Sequence, residues 1–88
     1  MRAPTSRHLR IVAAIAKSGK ISSAASALGV TGPAVTLQLQ QLEAMVGLPL
    51  FERNKRLMRP TAAGEILVDC ARHVDERLRS CVEALDAL

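Results

Sequence analysis

Groups able to make or break covalent bonds are scarce in this chain. It holds two cysteines, Cys70 and Cys81, and two histidines, His8 and His73, among 88 residues. Neither cysteine has a Cys-x-x-Cys neighbour, and the histidines complete no ligand set with them. Paired carboxylates, a nucleophile–base pair and a phosphate-cradling glycine loop are all missing, so the sequence supplies no catalytic residue, no metal ligand and no cofactor site. What remains is the chemistry of polar contact. Thr31, Thr36, Gln40 and Gln41 offer hydrogen-bond donors and acceptors at helical spacing, and Arg53, Lys55 and Arg56 form a compact cationic group.

Those residues must be held by local structure, and the stretch from Ser22 to Glu43 indicates how. It reads as a short helix, a tight turn and a second helix. Ser22 is the expected N-cap, and small Ala24, Ala25 and Ala27 lead to Leu28, letting another helix approach. Gly29 is the expected stop, since glycine enters the left-handed region without steric cost. Thr31 supplies a second N-cap, and Pro33 sits in the first turn, where its missing N–H costs nothing. Over about 32–46, Val35, Leu39, Leu42 and Val46 form one buried stripe, opposite Thr36, Leu37, Gln40 and Gln41. This is helix-turn-helix anatomy, with a second helix shaped to enter a DNA major groove. A two-helix corner in any small helical protein looks similar.

The flanks extend the pattern. Residues 5–18 are predicted to form a first helix, with Leu9, Val12, Ala13 and Ala16 facing the core and Ile11 and Ile15 beside that face. After Gly47, the run Leu48-Pro49-Leu50-Phe51-Glu52-Arg53, then Asn54-Lys55-Arg56, then Leu57-Met58-Arg59-Pro60 reads as a two-stranded hairpin with a basic tip. Thr61-Ala62-Ala63-Gly64 then opens a capped helix. Charge follows this division. The net charge is +4 overall. Residues 1–60 hold nine Lys/Arg and two Asp/Glu, a net of +7, whereas residues 61–88 hold three and six, a net of −3. The basic excess therefore lies with the helix-turn-helix and hairpin, as a polyanionic partner requires.

The last helix makes a separate demand. Leu67, Ala71, Val74, Leu78, Cys81, Leu85 and Leu88 keep an unbroken heptad register, with Ile66, Cys70 and Val82 on a second apolar line. A helix of about 27 residues is ~40 Å long, more than a domain built from the first 60 residues can cover. A second copy of the chain would supply a matching stripe; the competing arrangement packs the whole stripe on the domain itself. Cys70 and Cys81 lie eleven positions, roughly 16 Å, apart along this helix, too far for a disulfide within it.

Taken together, residues from about 5 to 88 resemble the N-terminal DNA-binding region of LysR-type transcriptional regulators. The matching blocks are Ala24-Ala25, Leu28, Pro33-Ala34-Val35-Thr36, Leu42-Glu43, Gly47, Leu50-Phe51-Glu52-Arg53 and Thr61-Ala62-Ala63-Gly64, in the family's order and spacing. The resemblance implies a mainly α fold: a winged helix-turn-helix over residues 1–60, then a dimerising linker helix over 61–88 that pairs antiparallel with its copy. It implies a homodimer on an interrupted palindrome of double-stranded DNA. The contacting residues would be Thr31, Gly32, Pro33, Thr36, Leu37, Gln40, Gln41, Arg53, Lys55 and Arg56. Thr36 would reach a base edge or thymine methyl, Gln40 and Gln41 bases or phosphates, and the wing cations phosphates or the minor groove. It also implies a C-terminal domain, beyond this chain, that senses a small-molecule effector. Within the family, Pro33-Ala34-Val35-Thr36 and Gln38 resemble regulators of carbon-fixation operons.

Two positions depart from the family pattern. Gly32 stands where Gln is common and Leu37 where Arg is frequent. Each lost bidentate donor is worth about 1–3 kcal/mol of base discrimination. Leu37 can offset this through thymine methyls, and Gly32 by closer approach of the backbone to phosphate. Other functions fare worse. Single-strand and RNA binders stack bases on aromatic platforms, and Phe51 is the only aromatic residue here. A winged-helix module that binds protein instead of DNA remains as the alternative, distinguished by weak salt dependence. No segment is apolar enough to span a membrane or to serve as a signal core, so a cytoplasmic location is expected.

Overall fold

The computed structural model describes residues 2–54 and 56–88; Lys55, expected at the hairpin tip, lies outside the described residues. The order is α1 (Ser6–Ser18), α2 (Ile21–Leu28), α3 (Gly32–Val46), β1 (Phe51–Asn54), β2 (Leu57–Pro60) and α4 (Ala62–Asp86). This is the expected winged helix-turn-helix with a long final helix.

At the start of α1, the Thr5 hydroxyl accepts the His8 N–H at 3.4 Å while His8 Nδ1 accepts the Thr5 N–H at 3.0 Å, a reciprocal cap. Ile11, Val12 and Ile15 are buried, so Ile11 and Ile15 are central to the core instead of flanking it. The reason is that α1 meets α2, α3 and α4, and a helix covered from several directions buries a wide arc.

The α1–α2 turn also differs from expectation. Helix α2 begins at Ile21, with Lys20 in the N-cap position and no side-chain cap, so Ser22 lies in the first turn. Ser18 ties the turn together, its hydroxyl accepting the Lys20 N–H at 3.2 Å, but it caps none of the helical N–H groups of α2. Gly19 makes the reversal possible at φ 73°, and its carbonyl accepts the Met58 N–H at 2.8 Å, fastening β2 to the turn. Ala24 and Ala25 are buried, but Ala27 is exposed and contributes nothing to close packing. In α3, Val35, Leu39 and Leu42 are buried and Val46 half-buried, as the periodicity predicts.

The wing is a two-stranded antiparallel sheet pairing Phe51 with Pro60, Glu52 with Arg59, Arg53 with Met58 and Asn54 with Leu57. Its base is bonded on both sides. The Glu43 carboxylate accepts the Leu50 N–H at 2.7 Å. The Leu50 carbonyl accepts the Thr61 N–H at 2.9 Å. The Thr61 hydroxyl donates to the Pro49 carbonyl at 2.7 Å and accepts the Gly64 N–H at 3.1 Å, capping α4. A Cβ on Gly64 would overlap the Leu50 carbonyl oxygen, so glycine is required for α4 to lie this close to the chain just before β1.

Helix α4 divides into two parts. Leu67 and Ala71 are buried against the domain, with Val68 half-buried beside them, whereas every residue from Arg72 onward is exposed. A boundary at 60/61 therefore falls inside the packed unit. Leu67 and Ala71, expected on the dimerisation stripe, already have partners within their own chain. Val74, Leu78, Cys81, Leu85 and Leu88 remain uncovered, as do Ile66, Cys70 and Val82. The apolar stripe is thus not absorbed by intramolecular packing.

Candidate nucleic-acid interface

Helix α3 turns its apolar stripe inward, so its opposite side is fixed by a 100° step per residue. Pro33, Leu37, Gln40 and Gln41 are exposed on that side; Thr36 and Gly32 are half-buried on one shoulder, and Gln38 on the other. Leu37, 54% exposed, is the large apolar residue at the middle of a polar surface. The N-terminus of α3 is less open than the sequence suggests. The Thr31 hydroxyl accepts the Ala34 N–H at 3.2 Å, and Pro33 has no N–H to offer. Thr31 keeps its own O–H for donation outward.

The wing cations gather elsewhere. Arg53 and Arg56 line a groove with Gly19, Lys20, Ile21, Ser22, Leu57 and Met58. Lys20 thus joins two arginines around the first turn of α2, whose N–H groups no side chain caps. Three positive side chains and the positive end of a helix dipole make this groove a seat for an anionic oxygen. The groove is continuous with α3 through Ile21, whose Cγ2 lies 3.9 Å from where a Cβ on Gly32 would stand. At the far side of α3, Arg7 lines a shallow depression with Ala34, Leu37, Gln38 and Gln41. Arg10 lies nearby, in a second depression with Arg7, Ala34 and Gln38.

One strip therefore runs from Arg53 and Arg56 through Lys20 and the α2 N-terminus to Gly32, along the exposed side of α3, and out to Arg7. Among the described residues, the ion pair joins Asp69 to Arg72 on α4, with His73 beside Asp69, and neutralises none of these cations. Arg7, Arg10 and Lys20 were not among the expected contacts. Arg7 and Arg10, three apart on the polar side of α1, carried a signal in the charge segregation; Lys20 became legible only when Gly19 brought it beside β2. Among the described residues, no group of three or more His, Cys, Asp and Glu side chains is placed to hold a metal, and no helix is long and apolar enough to cross a membrane.

A helical corner, an outward polar helix and a basic wing on one surface define a DNA-binding winged helix-turn-helix. Residues 6–65 match the model of the bacterial regulatory helix-turn-helix proteins of the lysR family, and the chain belongs to that family. It is 46% identical over 88 residues to the HTH-type transcriptional regulator CbbR of Rhizobium meliloti (strain 1021), matching all of this chain and 28% of that protein. It is 41% identical over 80 residues to the probable RuBisCO transcriptional regulator of Gracilaria tenuistipitata var. liui, covering 91% of this chain and 25% of that protein. The solved CbnR DBD–DNA complex superposes with a TM-score of 0.79 at 34% identity, covering 96% of this chain and 97% of that one. The chain thus spans about a quarter of the length of these curated relatives.

Proposed function

We propose that this chain is the operator-reading part of a cytoplasmic bacterial transcriptional regulator, binding double-stranded DNA as a homodimer. The observation that carries the reading is the unneutralised strip described above. Helix α3 enters the major groove with Thr36, Leu37, Gln40 and Gln41 toward base edges. Thr31, Gly32 and Pro33 lie where its N-terminus meets the phosphate backbone. Arg53, Lys55 and Arg56 hold the backbone or minor groove beside it, and Arg7, Arg10 and Lys20 add phosphate contacts.

Dimerisation through Val74, Leu78, Cys81, Leu85 and Leu88 follows from their exposure on a single helix face. An isologous pair presents two α3 helices to an interrupted palindrome. The relatives support a target among RuBisCO genes. Regulation by a small molecule would reside in a C-terminal domain beyond these residues.

The reading is tested by fluorescence anisotropy on a palindrome with T-and-A half-sites and on its scrambled version, at about 50 and 200 mM salt. Tighter binding to the palindrome is expected. In the dimer, Arg53→Ala removes two phosphate contacts and should flatten the log–log salt slope by about two units. Salt-insensitive binding, or none, would favour the protein-interaction alternative.

A further inference from the structure

Cys70 and Cys81 are both exposed, and nothing in the DNA interface uses them. Eleven helical positions amount to three turns and about 20°, so the two thiols lie on one face of α4 while remaining roughly 16 Å apart. The face between them reads Cys70, Val74, Arg77, Cys81. Its spacing of four, three and four is the same in both directions. An antiparallel copy related by a two-fold axis between residues 75 and 76 therefore meets this face with itself.

In that register Cys70 stands opposite the partner's Cys81, and Ile66, 71% exposed, opposite the partner's Leu85, 63% exposed. Each covers an apolar side chain that α4 otherwise leaves in water. Val74 meets the stem of the partner's Arg77, whose charged head reaches solvent at the edge. The antiparallel sense also opposes the two helix dipoles. Helix axes 8–10 Å apart, less two Cα radii of about 2.3 Å, leave facing Cα atoms roughly 3.4–5.4 Å apart. This overlaps the 4.4–6.8 Å span of a disulfide.

We propose that Cys70 and Cys81 are a redox staple: two symmetric disulfides, each joining Cys70 of one protomer to Cys81 of the other. The inference rests on the dimer reading above. The oxidant is a low-molecular-weight disulfide such as oxidised glutathione. One cysteine thiolate attacks it, releasing one glutathione and leaving a mixed disulfide. The facing cysteine thiolate displaces the second glutathione, and the two protons pass to the released thiolates. Each staple forms one S–S bond, breaks another, and reduces one oxidised glutathione to two glutathiones.

The test treats the whole chain with reduced or oxidised glutathione, follows it by sedimentation and non-reducing electrophoresis, and maps the linked peptides by mass spectrometry. Oxidised wild type should run as a covalent dimer containing a Cys70–Cys81 peptide pair. Cys70→Ser alone and Cys81→Ser alone should both fail to link, since every bond needs one residue of each kind. Mixing the two variants should restore linkage in about half of the dimers, the statistical share of mixed pairs. A covalent dimer in either single variant would overturn the register. A reduced wild type that sediments as a dimer yet never links would overturn the staple and leave the dimer standing. A monomer that never links would overturn both.

Discussion

Two glycines, Gly64 and Gly32, should respond oppositely to the same substitution. In Gly64→Ala the new methyl overlaps the Leu50 carbonyl oxygen and lies 3.1 Å from its carbonyl carbon and 3.2 Å from Pro60 Cβ. Backbone atoms cannot swing aside as a flexible side chain would, so α4 must move away from Leu50. That movement loosens the bonds from Thr61 to the Leu50 and Pro49 carbonyls, together about 2 kcal/mol, and adds overpacking strain of about 1–3 kcal/mol. The sum is a loss of about 3–5 kcal/mol, much of the ~4–13 kcal/mol available to a domain of this size.

At about 4–8 °C per kcal/mol, the Tm should fall by at least ~12 °C. At Gly32 an added Cβ meets, beyond its chain neighbours, only Ile21 at an ordinary 3.9 Å, and the backbone is not left-handed. Gly32→Ala should therefore stabilise by about 0.4–1 kcal/mol, through a less flexible unfolded chain, and raise the Tm by ~2–8 °C. Far-UV circular dichroism during heating, at one fixed protein concentration, measures both. A Gly64→Ala loss under about 1 kcal/mol, or a destabilised Gly32→Ala, would refute this packing argument.

Other substitutions separate the roles of the site residues. Leu37→Arg, which faces solvent, should leave the Tm within about 0.5 kcal/mol of wild type while changing the preferred half-site base in a binding selection; an unchanged preference would remove Leu37 from readout. Lys20→Ala should reduce the log–log salt slope of DNA binding by about two units per dimer, and an unaltered slope would place the α2 N-terminus off the backbone. Glu43→Gln keeps the shape but weakens the acceptor for the Leu50 N–H, so a loss of about 1–2 kcal/mol is expected in urea denaturation. Equal stability would mean that the bond is replaceable by water.

Most of the architecture was legible because local signals agreed with one another. Thr31, Pro33 and Gly47 bound α3, its apolar stripe points inward, and Thr61 caps α4. The errors arose where tertiary contact overrode local preference. Ser22 is a good capping type, but Gly19 reverses the chain early enough for α2 to start at Ile21, leaving that helix uncapped. Leu67 and Ala71 fit the heptad as well as Val74 does, and periodicity alone cannot say which part of one stripe meets its own domain. Glu43 reads as a helical surface charge until the path after Gly47 brings the Leu50 N–H to it. The strip's outer cations, Arg7 and Lys20, depend in the same way on contacts between elements.

The division of α4 bears on how a dimer would read DNA. Its first part is fixed to Pro49 and Leu50 at the base of the wing through Thr61 and Gly64 and to the core through Leu67 and Ala71, so α3, wing and helix move together. From Thr61 beside the wing to the two-fold between residues 75 and 76 is about 14 residues, a lever of ~22 Å. A change of about 10° where two such levers cross would displace α3 by ~4 Å, close to one base step of ~3.4 Å. In the proposed dimer the crossing thus sets half-site spacing. A rigid crossing should bind poorly when the palindrome's spacer grows by about five base pairs, and again at about ten, although the latter restores the helical phase. Recovery at the full turn would show instead that the levers flex, and that spacing is chosen by the DNA.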